Sequence, residues 1–138
     1  REVEELLTEE HPDKLLICDR GSLDGMAYWP DRTRPQGYLE AVNSDVVTEA
    51  SRYDWVLHLD TAPVAGYDTT NPLRNESHEE ALRLNERIRE AWKVHPQRFI
   101  VGTAKSGHFI DKLKRALLIV EKILDGHTYE EINASLLE

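Results

Sequence analysis

An aspartate, an arginine and a glycine follow directly after a compact apolar run, residues 15–18, near the start of the sequence. The three polar residues are Asp19, Arg20 and Gly21. A carboxylate at the end of a buried strand is placed to hold Mg²⁺, directly or through water, or to accept a proton from an attacking hydroxyl group. The neighbouring guanidinium can bind phosphate through two hydrogen bonds. An ordinary surface ion pair between Asp19 and Arg20 explains the same pattern equally well.

Four arginines lie in or after a loop in the middle of the chain: Arg74, Arg83, Arg87 and Arg89. Arg83 and Arg87 are four residues apart, so they share one face of a predicted helix. Such a segment can fold over a nucleotide and place guanidinium groups on the charge that develops during phosphoryl transfer. The alternative is that these arginines pair with acidic residues of the same helix, for example Arg83 with Glu79.

A third segment, residues 102–107, lies between a predicted strand and a predicted helix and superficially resembles a phosphate-binding loop. The P-loop requires Gly-x-x-x-x-Gly-Lys followed by Ser or Thr, with the lysine directly after the second glycine. Here Lys105 precedes Gly107, and no P-loop pattern occurs anywhere in the sequence. We therefore interpret the segment as a turn and helix cap whose first residues, Gly102 and Thr103, lie against a nucleotide.

Other chemistries find no support in the sequence. The six histidines include no pair three or four residues apart, and a single cysteine excludes an intrachain disulfide and a cysteine-based zinc site. No Gly-x-Ser-x-Gly elbow occurs. We expect Cys18 to be a buried strand residue and Trp29, Trp55 and Trp92 to be core residues, because each lies in an apolar pattern.

The composition is that of one globular domain. The chain has 138 residues, of which 40% are hydrophobic and 31% charged, with a formal net charge of −9. Such an acidic chain disfavours nonspecific binding to nucleic acids or to anionic membranes. No apolar run is long enough to span a bilayer. A lone cysteine fits the reducing cytoplasm. We expect a cytoplasmic protein that binds neither nucleic acid nor membrane.

Hydrophobic periodicity predicts strands and helices in alternation. The predicted strands are residues 15–18, 54–60 and 98–102. The predicted helices are residues 1–10, 38–51, a helix from Ser77 to the His95-Pro96 stop, a helix that Ser106 caps and Gly126 ends, and 129–137. Residues 21–37 and 61–76 are rich in Gly, Pro and polar residues. We expect the first segment to be a loop or a broken helix and the second to be a long loop.

This alternation predicts an α/β fold with a mainly parallel sheet and flanking helices. Ligands bind such sheets at the carboxyl ends of the strands. The residues at those ends are Asp19 to Gly21, Asp60 with Thr61, and Gly102 with Thr103.

The segment around Asp19 resembles the AAA-type P-loop ATPase and kinase domains related to bacterial ribosylnicotinamide kinase. The resemblance lies in an apolar strand followed by Asp19-Arg20-Gly21, and then by Asp24 and Ala27-Tyr28. It extends over about residues 1–125. Further matching motifs are Tyr53 to Leu59, Asn71-Pro72-x-Arg74-x-Glu76, Trp92-x-x-His95-Pro96, Phe99 to Val101 and Phe109-x-x-Lys112.

The resemblance implies a P-loop kinase-like fold that binds ATP and Mg²⁺ and transfers a γ-phosphoryl group. A kinase for a small nucleoside-like acceptor is the more concrete expectation, and a regulatory ATPase is the alternative within this fold. It makes Asp19 the metal-linked or base carboxylate and Arg74 the catalytic arginine of a lid loop over residues 61–78. The residues expected at the nucleotide phosphates are Arg20, Arg83, Arg87, Gly102 and Thr103. Asp24 and Tyr28 are expected at the substrate, although Asp24 could instead cap a turn.

The sequence departs from that family in one respect. The family's first strand and P-loop belong before residue 1, so we expect residues 1–138 to be a single, partial domain that is inactive alone. The family's central strand lies between the strands predicted at 14–19 and 54–60, which must then pair directly or leave a gap. Exposed sheet edges invite self-association. The alternative function is a noncatalytic α/β interaction module or a degenerate gene fragment.

Overall fold

The computed structural model describes residues 2–61, 77–103 and 107–137, and these residues form a mixed α/β structure. Two strands, β1 (Val56–Leu59) and β2 (Arg98–Val101), make a parallel sheet in which Val56 lies opposite Arg98 and Leu59 opposite Val101. The helices flank this sheet: α1 (Glu2–Glu10), α2 (Asp24–Tyr28), α3 (Gly37–Ala41), α4 (Val46–Ala50), α5 (His78–Ala91), α6 (Phe109–Leu124) and α7 (Tyr129–Leu136). The α/β class predicted from the alternation is therefore confirmed.

Two apolar clusters hold these elements together. The first joins α2, α3 and α5 and contains Leu23, Ala27, Leu39, Ile88 and Trp92. The second joins β2, α6 and α7 and contains Phe99, Val101, Ile119 and Ile132, with Trp55 stacked on Phe99 at 6.0 Å between ring centroids. The expectation that Trp92 is a core residue is confirmed.

Local capping sets the beginnings of α5 and α7. The Ser77 hydroxyl accepts a hydrogen bond from the Glu80 backbone N–H at 3.2 Å, and the Glu80 carboxylate accepts one from the Ser77 N–H at 3.3 Å. This reciprocal capping box satisfies two N–H groups that the helix cannot pair internally. The Thr128 hydroxyl caps α7 by accepting a hydrogen bond from the Glu131 N–H at 3.2 Å, without the reciprocal bond to the backbone. The predicted start at Ser77 is confirmed.

The strand predicted over residues 15–18 is wrong. These residues form no strand, and the side chains of Leu15, Ile17 and Cys18 are exposed, Ile17 to 77%. An apolar run becomes a strand only when a neighbouring strand supplies hydrogen-bond partners, and the sheet in the described part of the chain consists of β1 and β2. We expected this segment either to pair directly with the strand at residues 54–60 or to leave a gap in the sheet. Direct pairing does not occur, because the segment forms no strand.

The single helix predicted over residues 38–51 is also wrong, because the segment forms α3 and α4. Asn43 lies between them with a φ of +51°, a left-handed conformation that ends a helix. The Asp45 carboxylate then accepts a hydrogen bond from the Thr48 N–H at 2.8 Å and starts α4. Residues 24–28 within the predicted broken helix form α2.

The last long helix begins at Phe109, with His108 at the N-cap position, and the cap predicted at Ser106 lies outside the described residues. Its predicted apolar stripe is buried only in part. Lys112, Ala116 and Ile119 face the core, whereas Phe109 is 72% exposed. In the described part of the chain, no helix is long and apolar enough to cross a membrane.

Candidate functional site

Asp19 and Arg20 occupy an exposed turn just before α2. Arg20 has a φ of +76°, which a residue with a side chain adopts at an energetic cost. Its guanidinium lies 3.4 Å from Asp24 rather than on Asp19. The surface pair that sequence reasoning allowed between Asp19 and Arg20 is therefore not formed, and Asp19 makes no ion pair with any residue that the structure describes.

Asp24, expected at the substrate, is buried and already bonded. One carboxylate oxygen accepts a hydrogen bond from the Trp92 indole N–H at 2.6 Å, and the other faces Arg20. With 7% of Asp24 exposed, little of it is open to a ligand. The geometry makes Asp24 an anchor between the start of α2 and the end of α5.

A polar network fills the carboxyl end of β1. Asp60, the residue after the strand, accepts a hydrogen bond from the Asn85 amide at 2.9 Å and faces Arg89 at 3.4 Å. The His58 imidazole Nε2 lies 2.8 Å from the Asn85 side-chain oxygen. The Lys112 ammonium donates to the Asp60 carbonyl, and burial lowers the pKa of this ammonium from its usual value.

This network holds the chain at the end of the strand, because the Asn85 oxygen also accepts a bond from the Thr61 N–H at 3.3 Å. Sequence reasoning selected Asp60 as a strand end but missed His58, Asn85 and Lys112. A signal was present: Asn85 interrupts the apolar face of α5 between Ala81 and Ile88, where a polar side chain needs a buried partner.

A cleft between the end of α2 and one face of α5 brings several predicted residues together. It encloses about 290 Å³ and is lined by Tyr28, Arg32, Glu80, Arg83, Leu84 and Arg87. We call it the α2–α5 cleft. Tyr28, Arg83 and Arg87 were expected at a ligand from the sequence, whereas Arg32 was missed.

The arginines of this cleft differ in their pairing. Arg83 lies 2.7 Å from Glu79, so the helix pair that the sequence allowed as an alternative is formed. Arg87 makes no ion pair within the described part of the chain. The Arg32 guanidinium donates to the carbonyl groups of Ala27 at 2.8 Å and Trp29 at 3.2 Å, which fixes its position.

Gly102 and Thr103 follow β2 at the same sheet edge as Asp60, whose N–H donates to the Val101 carbonyl at 3.0 Å. A Cβ at Gly102 would meet no described atom within 4 Å, so the space beside this backbone is open. Arg74 and nearly all of the predicted lid loop over 61–78 lie outside the described residues.

The donor set fits Mg²⁺ through a single carboxylate. Among the described residues, no three His, Cys, Asp or Glu side chains lie together as a metal cluster. Mg²⁺ in nucleotide sites needs only one or two protein carboxylates, because phosphates and waters complete its shell. Asp19, exposed and without an ion pair to any described residue, fits that requirement.

Comparison with known protein families identifies the family of this chain. A family model described as an AAA domain matches residues 1–108, well over half of the chain. The matched range includes Asp19, the α2–α5 cleft and both strands. No curated protein and no solved structure matches the chain significantly.

Proposed function

The chain belongs to the AAA domain family, and from this premise we propose that it is the C-terminal part of an ATP-binding, kinase-like P-loop NTPase domain. Within that domain it phosphorylates a small, nucleoside-like molecule in the cytoplasm. The proposal requires a phosphate-binding loop from outside residues 1–138, because the sequence contains no Gly-x-x-x-x-Gly-Lys pattern followed by Ser or Thr. ATP with Mg²⁺ supplies the phosphoryl group when it is bound.

The observation that carries the proposal is the exposed carboxylate of Asp19 beside Arg20. Asp24 holds the Arg20 guanidinium at 3.4 Å, away from Asp19, so the carboxylate keeps its full capacity to accept a proton or hold a cation. The unfavourable backbone conformation of Arg20 supports a functional turn, because such strain concentrates at ligand sites.

The reaction assigns each group a role. The acceptor oxygen forms a bond to the γ-phosphorus, the bond from that phosphorus to the β–γ bridging oxygen breaks, and ADP leaves with the bonding electrons. Asp19 takes the hydroxyl proton of the acceptor or holds Mg²⁺. Arg20, Arg83 and Arg87, together with Gly102 and Thr103, are the groups proposed at the phosphates, and Arg74 is the proposed catalytic arginine. Tyr28 is proposed at the substrate, whereas Asp24, buried and bonded to Trp92, anchors α2 against α5.

The test is phosphoryl transfer by the protein translated from the complete gene. Formation of ADP from ATP and Mg²⁺ is measured with a panel of nucleosides and nucleoside 5′-phosphates, for the unchanged protein, Asp19→Asn and the control Asp13→Asn, which alters another exposed carboxylate. We expect nucleoside-dependent ADP formation that Asp19→Asn alone reduces. Absence of ADP formation with every nucleoside and every nucleoside 5′-phosphate tested would contradict the kinase proposal.

Exposed apolar side chains favour a second candidate, a noncatalytic interaction module. Ile17, Phe109, Leu117 and Leu124 are each more than half exposed. A protein that associates with itself or another chain through these residues, and forms no ADP, supports this candidate over the first.

A further inference from the structure

The α2–α5 cleft has the lining of an anion-binding site. Its helical wall is one face of α5, since Glu80, Arg83, Leu84 and Arg87 follow one another at helical spacing. Its other wall is Tyr28, the last residue of α2, with Arg32 from the turn that follows. Three arginines thereby line one open cleft, and Arg83 among them is already paired with Glu79.

The charge of the cleft opposes that of the chain. Three arginines and one glutamate line it, and Glu79 pairs with Arg83 beside it, which leaves a local net charge of +1 where the whole chain carries −9. The Glu80 carboxylate already accepts the Ser77 N–H in the capping box. A positive region on an acidic protein concentrates anions at that place.

Two of the arginines have hydrogen-bond donors that no described residue uses. The Arg32 guanidinium is fixed through one nitrogen by the Ala27 and Trp29 carbonyls, and its remaining nitrogens have no partner among the described residues. Arg87 is half-buried and makes no ion pair there. A fixed guanidinium loses little freedom when it binds, and a half-buried cation gains from a charged partner.

Size and lining define the ligand further. The volume of about 290 Å³ is at the lower limit for small-molecule sites, so the ligand is small. Tyr28, 50% exposed, and Leu84 offer it an aromatic and an aliphatic surface. Arg32 and Arg87 have no ion pair among the described residues. A phosphate ester, with close to two negative charges and several acceptor oxygens, matches these two guanidinium groups better than a carboxylate with one negative charge does.

We propose that the α2–α5 cleft binds the phosphate group of a phosphorylated small molecule, and that this molecule is the phosphate acceptor. The binding site stands on the cleft itself, whereas the acceptor role rests on the proposed kinase function and moves Arg83 and Arg87 from the nucleotide phosphates to the phosphate of the acceptor. Because α2 has five residues, its ends lie about 6 Å apart, and Asp24 at its start contacts Arg20 beside Asp19. The acceptor role requires that a sugar phosphate anchored at Tyr28 and Arg32 bring a hydroxyl group to Asp19.

Isothermal titration calorimetry of the protein with ribose 5-phosphate and with ribose tests the site. We expect binding of ribose 5-phosphate only, weakened tenfold or more by Arg87→Ala and by Arg32→Ala. Arg34→Ala removes the same charge from an exposed residue outside the cleft and should leave the affinity unchanged. A second titration in the presence of a non-hydrolysable ATP analogue should give the same affinity.

Equal binding of ribose and ribose 5-phosphate, no binding of either, or equal effects of Arg87→Ala and Arg34→Ala would overturn the site. Displacement of ribose 5-phosphate by the ATP analogue would assign the cleft to the nucleotide and overturn the acceptor role. The two proposals fail separately. Binding of ribose 5-phosphate without any ADP formation leaves the site and removes the kinase function, and nucleoside-dependent ADP formation without this binding does the reverse.

Discussion

The indole N–H of Trp92 donates a hydrogen bond to the Asp24 carboxylate at 2.6 Å, across 68 residues of sequence. Trp92 is only 4% exposed, so the bond is shielded from water. A Cβ at Gly21 would lie 2.4 Å from the Trp92 ring, which shows how closely the turn after Asp19 packs against it. This pair sets the position of α2 against α5, the two walls of the α2–α5 cleft.

Trp92→Phe should lower the free energy of unfolding by about 1–3 kcal/mol, because it leaves a buried carboxylate oxygen without its donor. The measurement is urea unfolding followed by circular dichroism. Trp29→Phe is the matched control, since Trp29 packs edge-on against Tyr38 and makes no hydrogen bond through its indole in the described residues. Equal losses in the two variants would show that ring size, not the hydrogen bond, is what matters.

Lys112 should make stability depend on pH. Burial lowers the pKa of its ammonium below the ordinary 10.5, so the folded protein binds this proton less tightly than the unfolded chain does. The free energy of unfolding contributed by Lys112 therefore rises as the pH increases through its folded pKa toward 10.5. Lys112→Met should remove that rise.

Urea unfolding of both proteins between about pH 8 and pH 10 measures the effect as a difference in slope. Tyr53 acts in the opposite direction, because burial raises its pKa above 10.0 and stability falls as the pH passes 10.0. That contribution is present in both proteins and cancels in the comparison. Identical slopes for the two proteins would show that Lys112 is not desolvated in the folded state.

Local signals determined the elements that could be predicted. Ser77 with Glu80 and Thr128 with Glu131 are capping pairs within one helical turn, so the sequence alone identifies where α5 and α7 begin. Residues 15–18 contain no such local determinant. Their apolar run favours a strand, but whether a neighbouring strand is available to pair with them depends on the tertiary structure.

The sequence likewise predicted only part of the candidate site. Arg83 and Arg87 were found because their spacing places them on one helix face. Arg32 was missed because nothing in the sequence connects the turn after α2 with α5, which follows more than 40 residues later. Only the packing that Trp92 and Asp24 fix brings the two walls together.

Asp19→Asn should lower turnover by roughly 10²-fold or more in the complete protein, the usual contribution of a general base. Folding stability should change little, because Asp19 is exposed and makes no ion pair in the described part of the chain. Steady-state kinetics and urea unfolding, measured together, separate the two effects. Unchanged turnover would make Asp19 a surface residue without a catalytic role.

The chain should associate with itself through its exposed apolar residues. Phe109 and Leu117 lie on α6, eight residues apart and more than half exposed. We expect the molar mass by light scattering to rise with concentration, and the double variant Phe109→Lys, Leu117→Lys to abolish the rise. Glu121→Lys, a charge change at another exposed position of α6, is the control. A constant monomer mass for the unchanged chain would contradict the prediction.

Arg74→Ala should lower kcat strongly in the complete protein while nucleotide affinity stays within a few-fold. Arg74 lies outside the described residues, and its role is predicted from its place between Asn71-Pro72 and the helix that Ser77 caps. An arginine that stabilises charge growing in the transition state contributes more to kcat than to binding of ATP. Arg74→Lys should recover only part of the loss, because an ammonium cannot reproduce the guanidinium fork.

The rival explanation of Arg74 is a surface ion pair with Glu76 or Glu79, which contributes only about 0–1 kcal/mol to stability. Glu79 is already paired with Arg83 at 2.7 Å, and this weakens the rival. Steady-state kinetics of Arg74→Ala, Arg74→Lys and the control Arg34→Ala decide between the two. A kcat for Arg74→Ala equal to that of Arg34→Ala would leave the surface pair as the explanation, because a catalytic arginine cannot be removed without slowing the transfer step.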